Sequence, residues 1–293
     1  MHSISRQTIK TTISQMLQMY RLDVAIISFC AYGAGLVFNG GAVISDLPTA
    51  IGISLLSFNY IYSLNAIEDR DIDSINKPDR PISAGKLNIL IAHRYVSFLL
   101  ISSLVYPFFV YKNPVNFVLY FFLPILGWAY SVPPLRLKTK LLPAVLSIAL
   151  MYLTPVVIGI TASSTTINSF HGYLLGYIFL FIISIVPLKD IEDVEGDQRF
   201  GSSNWMAILG RNKLLTFSTL SLTASIVFIL TAPLGEAITF DLTILSSAII
   251  SLIAAFFIFK RPIEYLYRSI LILVGMLGAA FFIFFLIIGT GIL

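Results

Sequence analysis

The chain has 293 residues, of which 57% are hydrophobic and only 12% charged, with a mean hydropathy of +0.88. An average soluble domain is about a quarter charged, so this composition excludes a water-soluble core, a disordered chain and a disulfide scaffold. A formal charge of +4 and a pI near 9.1 fit a basic excess on one side of a membrane better than a nucleic-acid surface.

Residues 1–20 mix polar positions with Ile9, Ile13, Met16 and Leu17, which predicts a short interfacial helix, and the run that follows is too long for the core of a cleavable signal. Apolar runs able to cross a hydrocarbon core of about 30 Å are predicted at 22–39, 47–66, 90–111, 114–131, 141–161, 170–188, 213–232, 240–259 and 267–290. The third and fourth touch at Pro114, which leaves an eight-span alternative. Charge favours nine. With the N-terminus inside, every one of the 19 Lys and Arg residues except Lys112 falls on an inside segment or its flank, and merging two spans would break that alternation. The expectation is an all-α membrane protein of nine transmembrane helices, one domain over 1–293, with a cytosolic N-terminus and an outside C-terminus. The two longest inside loops, about 67–89 and 189–212, carry most of the charge and are read as the functional face. Cys30, the only cysteine, cannot form an intrachain disulfide, and His2, His93 and His171 are too scattered for a metal cluster.

Ten of the 15 acidic residues fall in two short stretches: Glu68, Asp69, Asp71, Asp73 and Asp79, then Asp190, Glu192, Asp193, Glu195 and Asp197. Asn65, Asp69 and Asp73 recur every fourth residue, and at about 100° per residue they form one stripe where the second span leaves the membrane. Asp190, Asp193 and Asp197 are spaced to share a face at the end of the sixth span, with Glu192 and Glu195 turned away to solvent. Each stripe is an array of hard oxygen ligands of the kind Mg2+ takes together with water and a substrate phosphate. Carboxylates so dense repel one another unless cations compensate, and two metals with a polyphosphate would do so. One such cluster alone reads equally well as a solvated helix end.

The stretch Asn65-Ala-Ile-Glu-Asp69-Arg-Asp-Ile-Asp73, followed by Asn76-Lys-Pro-Asp-Arg80-Pro-Ile, resembles the NDxxDxxxD signature of the UbiA superfamily of intramembrane prenyltransferases. Lys189-Asp-Ile-Glu-Asp193-Val-Glu-Gly-Asp197-Gln-Arg-Phe-Gly201 is similar to its KDxxDxxGDxxxG, and Tyr130-Ser-Val-Pro-Pro-Leu-Arg136-Leu-Lys138 to its tyrosine-plus-basic loop. Ala66 departs from the pattern, since many members carry Asp there. The resemblance implies a UbiA-type fold around a central cavity and transfer of an isoprenyl group from its diphosphate to a lipophilic acceptor within the bilayer. It assigns Asn65, Asp69 and Asp73 to one Mg2+ and Asp193 and Asp197 to a second, with Asp190 nearby either as a ligand or just behind the ligands. Asp69, Asp73, Asp193, Asp197 and Tyr130 would be the catalytic set. Arg21, Arg70, Arg136, Lys138 and Lys189 would contact the diphosphate, helped by Tyr130 and Ser131, although positive-inside anchoring alone accounts for most of the basic residues. Tyr60, Tyr62, Trp128 and Tyr130 are candidate aromatic faces for an allylic cation, but with aromatics at 13% of the chain any one reads more readily as packing or an interface anchor, and only Tyr130 is favoured. Similar placement of the two stripes, about 125 residues apart, hints at an internal duplication.

The second and first motifs look most like the branch holding digeranylgeranylglyceryl phosphate synthase, whereas the tyrosine loop looks closer to chlorophyll synthase and the homogentisate or quinone enzymes. The reading leans to a geranylgeranylglyceryl-phosphate acceptor and keeps an aromatic or quinone acceptor open. A UbiA-type terpene cyclase is the nearest rival, and a cation transporter a remote one, because transport sites lie near the midplane rather than at helix ends. No nucleic acid and no obligate protein partner is expected.

Overall fold

A computed structural model of the chain describes residues 14–16, 18–19, 21–38, 46–163, 169–233 and 238–260, with positions 269, 270, 272 and 276. Regular structure among them is entirely helical: α1 Leu22–Phe38, α2 Leu47–Glu68, α3 Arg70–Asn76, α4 Ile89–Val110, α5 Pro114–Ser131, α6 Leu141–Ser163, α7 Ser169–Ile185, α8 Val194–Arg199, α9 Trp205–Leu230 and α10 Ile238–Lys260. A 3-10 stretch, Val186–Ile191, continues α7. Six helices (α2, α4, α5, α6, α9, and α7 with its 3-10 extension) are long and apolar enough to cross a membrane, and α1 and α10 carry shorter apolar stretches. The first eight predicted runs each coincide with a helix; the ninth, 267–290, falls almost wholly outside the described residues, as does most of the 1–20 segment. This is an all-helical, multi-pass membrane protein.

Large apolar side chains lie outside as well as in the core, and small polar ones are buried among them. Phe98, Phe108, Phe109, Ile125 and Leu252 face outward, while Ser57, Ser63, Ser103, Ser218 and Ser225 are fully buried. Lipid is as apolar as leucine, so helices associate through close backbone approach and small polar bonds rather than through hydrophobic exclusion. α1 and α6 illustrate the first: a Cβ on Gly35 would lie 2.0 Å from the Val156 carbonyl oxygen, and one on Gly159 would lie 2.2 Å from that of Tyr32. α2 illustrates the second. Its Gly52–Phe58 segment is a π-helix, and there Tyr120 of α5 donates to the Gly52 carbonyl (3.1 Å) while Ser57 meets Ser103 of α4 (2.9 Å).

One cluster of core side chains joins α1, α2, α4, α5 and α6; two others lie among α7, α9, α10 and parts of α1 and α6. Twice, a spanning helix ends in a break and a short polar helix follows: α2 then α3, and α7 then α8. α3 and α8 pack on one another, which brings the two acidic segments together.

Candidate active site

The first stripe is not one continuous helix. Asn65 sits in the last turn of α2, Asp69 at the break (φ −95°, ψ 5°), and Asp73 in α3. Helical hydrogen bonding nevertheless carries through, with Asp69 N to Asn65 O at 2.9 Å and Asp73 N to Asp69 O at 2.7 Å, so the three keep a common face. The Asn65 amide donates to Asp69 Oδ2 (2.9 Å). Lys138 Nζ lies 2.7 Å from Asp69 Oδ1 and donates to Asn65 Oδ1 (3.2 Å), with Ser131 Oγ also reaching that oxygen (3.3 Å). Lys138 arrives from the 3-10 turn Leu137–Thr139, which the chain enters through Arg136 in the left-handed region (φ 35°). Burial pulls the Lys138 ammonium below the usual lysine range, with Asp69 opposing. Arg136 Nη2 donates to the Glu68 carbonyl at 3.4 Å, and its Nε is buried with no partner in the protein. Asp73 is paired with Arg80; burial raises its carboxyl, against the pull of Arg80 and Lys77.

The second stripe is likewise broken: Asp190 lies on the 3-10 stretch, Asp193 at the bend and Asp197 in α8. Asn204, 1% exposed, holds it in place, donating to the Asp190 carbonyl (3.0 Å) and to Asp197 Oδ2 (2.9 Å) while its own oxygen caps α9 at Ala207 N (3.0 Å). Asp190 Oδ2 accepts from the Trp205 backbone (2.7 Å). Asp193 is buried between Lys77, which pairs with its Oδ1, and Lys189, 3.8 Å from its Oδ2. Burial pushes the Asp193 carboxyl up, but Lys189 and Lys77 outweigh it and hold it below the usual range; Asp197 is raised by burial. Glu195 is exposed, as its spacing suggests, but Glu192 is half-buried rather than solvated because the backbone changes from 3-10 to turn at that point and rotates it inward.

Besides the Lys77–Asp193 pair, an amide side chain pins the two segments together. Asn76, at the end of α3, donates to the Asp193 carbonyl (3.0 Å) and accepts from Gly196 N (2.8 Å). A Cβ on Gly196 would sit 2.6 Å from the Asn76 amide, so only glycine permits this approach.

Most of the residues singled out in the sequence converge here, with exceptions. Tyr130 is buried within electrostatic reach of Lys189, Asp69 and Asp190. Arg70 lies apart, exposed and paired with Asp71 at 3.1 Å. Arg21 pairs with Asp23 and stacks over the Tyr62 ring, 5.8 Å from its centroid. It helps to line a cleft of about 420 Å³, open mouth included, with Tyr62, Asn65, Ala66 and Arg80. Trp128 is 42% exposed on the outer surface and Tyr60 is buried in the helix core, the anchoring and packing roles that aromatics in a span most often take. Asn76, Lys77 and Arg80 belong to the quoted motif but carry no assigned role there, and Asn204 lies outside the motifs. Lys77 and Arg80 were legible as basic residues beside an acidic stripe, and Asn204 as a helix cap before Trp205.

The donor set suits divalent cations that share a ligand. Among the described residues no three acidic side chains converge tightly enough to hold an ion unaided. Asn65 with Asp69 and Asp73, and Asp190 with Asp193 and Asp197, instead present small groups of hard oxygens, leaving positions for water and for phosphate oxygens, the mixed shell that Mg2+ prefers.

The profile of the UbiA prenyltransferase family matches residues 26–270. The chain belongs to that family. Among UbiA-family relatives, 2-acylphloroglucinol 4-prenyltransferase of Humulus lupulus is 27% identical over 215 residues, covering 67% of this chain and 50% of the relative. Digeranylgeranylglyceryl phosphate synthase of Sulfolobus acidocaldarius is 29% identical over 180 residues, covering 61% of this chain and 62% of the relative. The chain thus spans about half the length of the plant relatives and under two thirds of the archaeal one. A UbiA homologue from Archaeoglobus fulgidus, solved bound to DMAPP and Mg2+, superposes with a TM-score of 0.75 over 95% of this chain and all of the other at 20% identity, which establishes the fold.

Proposed function

We propose that this chain is a prenyltransferase that moves an isoprenyl group from its diphosphate to a lipophilic acceptor inside the bilayer, using two Mg2+ ions. The observation that carries this is the docking of two carboxylate stripes by Asn76, ringed by Lys77, Arg80, Lys138 and Lys189. Such a site suits an anion with several oxygens shared between cations. Asn65, Asp69 and Asp73 would hold one ion and Asp190, Asp193 and Asp197 the other. Bound there, the ions would neutralise the diphosphate and stabilise it as a leaving group.

The protein's own groups do the rest. Arg136 has a buried Nε open to a phosphate oxygen, and Lys138 and Lys189 add charge-assisted bonds as they turn from Asp69 and Asp193. Tyr130 and Ser131 sit at the same level to orient the bridging oxygen. The bond from the allylic carbon to that oxygen breaks with its electron pair on diphosphate. The acceptor supplies the pair for the new bond and loses a proton. Apolar helices above the site exclude the water that would otherwise quench the cation.

The acceptor we favour is of the geranylgeranylglyceryl phosphate type, supported by the motif likeness and by archaeal relatives that bear that synthase's name. An aromatic acceptor is the second reading, supported by the plant relatives, which act on phloroglucinols by name. The site face is read as cytosolic in a nine-span chain. Purified protein with labelled geranylgeranyl diphosphate and Mg2+, with and without glyceryl-phosphate and aromatic acceptors, tests the proposal. Label should move to one acceptor with diphosphate release, and Asp69→Ala and Asp193→Ala should stop it. A hydrocarbon formed without acceptor would make the chain a cyclase. No release from donors of any length would reopen the transporter reading.

A further inference from the structure

Above the diphosphate site, α2 turns from polar to aromatic along one face. Phe58, Tyr62, Asn65, Asp69 and Asp73 follow one another at intervals of three or four residues, which keeps them on a single stripe. Tyr62 stands about 4.5 Å above Asn65 along the axis, at about 1.5 Å per residue, and Phe58 about 6 Å higher. The Tyr62 hydroxyl meets that of Tyr152 on α6 at 3.2 Å, and the Tyr152 ring lies against Phe58, with centroids 5.4 Å apart.

The two helices joined in this way are not neighbours by packing. α2 rests mainly on α1, α4 and α5, and α6 mainly on α1, α5 and α7. Two tyrosines meeting tip to tip therefore span the interior between α2 and α6, directly over the carboxylates. Lys189 lies within electrostatic reach of Tyr62, which places the bridge beside the second stripe as well as above the first.

We propose that the Tyr62–Tyr152 hydroxyl pair, braced by Phe58, is a crossbar that selects the length of the isoprenyl tail. This rests on the prenyltransferase reading given above. A tail leaving the diphosphate between α2 and α6 meets the bar within its first isoprene units, well short of a C20 chain. Short tails fit beneath it; long tails must part the hydroxyls. A neutral hydroxyl pair is weak enough to be opened, so the bar penalises long donors without forbidding them.

The test is kcat/KM for diphosphate release with C5, C10, C15 and C20 allylic diphosphates, each in the presence of the glyceryl-phosphate and aromatic acceptors, using wild type, Tyr152→Ala and Tyr152→Phe. The C20 to C10 ratio should rise about tenfold in Tyr152→Ala, the scale of a changed apolar pocket wall. Tyr152→Phe keeps the ring against Phe58 and loses only the hydroxyl bond, so its ratio should rise about threefold and guards against a misfolded alanine variant. A ratio within about twofold of wild type in the folded variants would send the tail by another path and overturn the crossbar alone. Silence of wild type toward every donor would overturn the transferase reading and the crossbar with it.

Discussion

At the scale of single residues, Lys138 carries the most consequence. Its side chain is 8% exposed and its ammonium touches both Asp69 and Asn65, so it occupies oxygens that a divalent ion would use. Lys138→Met should do two opposite things. Mn2+ binding without donor, followed by electron paramagnetic resonance, should tighten because a competitor is gone. Donor affinity should fall by about 10–100-fold, the worth of one charge-assisted bond of about 1.5–3 kcal/mol. Weaker metal binding in the variant would remove Lys138 from this role. The stripe of Asn65, Asp69 and Asp73 was readable from a spacing of four, because hydrogen bonding survives the break at Asp69. Glu192 was not, because its orientation depends on a change of helix type that no side-chain pattern announces. Tyr152, too, was hidden: in sequence it is one aromatic in an apolar span, and its meaning comes from a helix more than 80 residues away, with Tyr62 at a separation of 90.

At the scale of elements, the contact of α3 with α8 decides whether two half-sites become one. Gly196→Ala drives a methyl into the Asn76 amide, and both partners belong to short, fixed segments. Overpacking of this kind costs about 1–3 kcal/mol, so turnover should be lost while melting in detergent falls by a few degrees only. Wild-type turnover in Gly196→Ala would show that the half-sites act without this contact. Acid tests the same contact from its charges. Asp193 is depressed in the folded protein, so its pairing with Lys77 and Lys189 stabilises fully above the unfolded value of 3.8 and is lost as pH falls through the lower folded value. Asp73 and Asp197 are raised and work in the opposite sense, becoming less unfavourable as they protonate. The difference between wild type and Lys77→Met reads the ion pair with Asp193 together with the pull of Lys77 on Asp73 and Asp197: the melting advantage of wild type, about 2–4 °C per kcal/mol, should hold at pH 6 and shrink below pH 4. An advantage that grows in acid would contradict the pairing. None of this was visible in the motifs themselves, which record the two segments but not which side chain joins them.

At the scale of the whole molecule, the apolar runs fixed where helices lie because length and composition alone separate a bilayer-crossing helix from a loop. Orientation is a separate matter of charge. If Lys112 marks the outside, a cysteine placed there in a Cys30→Ser background should react with an impermeant maleimide in intact cells, and one at Arg199 should react only after lysis. The reverse pattern would invert the proposed topology and put the site on the other face. Lateral order was less legible: nothing in the sequence pairs α1 with α6, whose contact depends on two glycines, Gly35 and Gly159, in separate spans.

The sequence alone suggested that so many carboxylates would need metal to coexist. Instead Lys77, Arg80, Lys138 and Lys189 each stand against an aspartate of the site. The chain thereby carries internal counter-ions into the membrane. If the proposed metal-dependent activity holds, folding and metal loading are separable: protein stripped by chelator should stay folded in its bilayer and regain turnover when the ion returns, a dormant state rather than a damaged one.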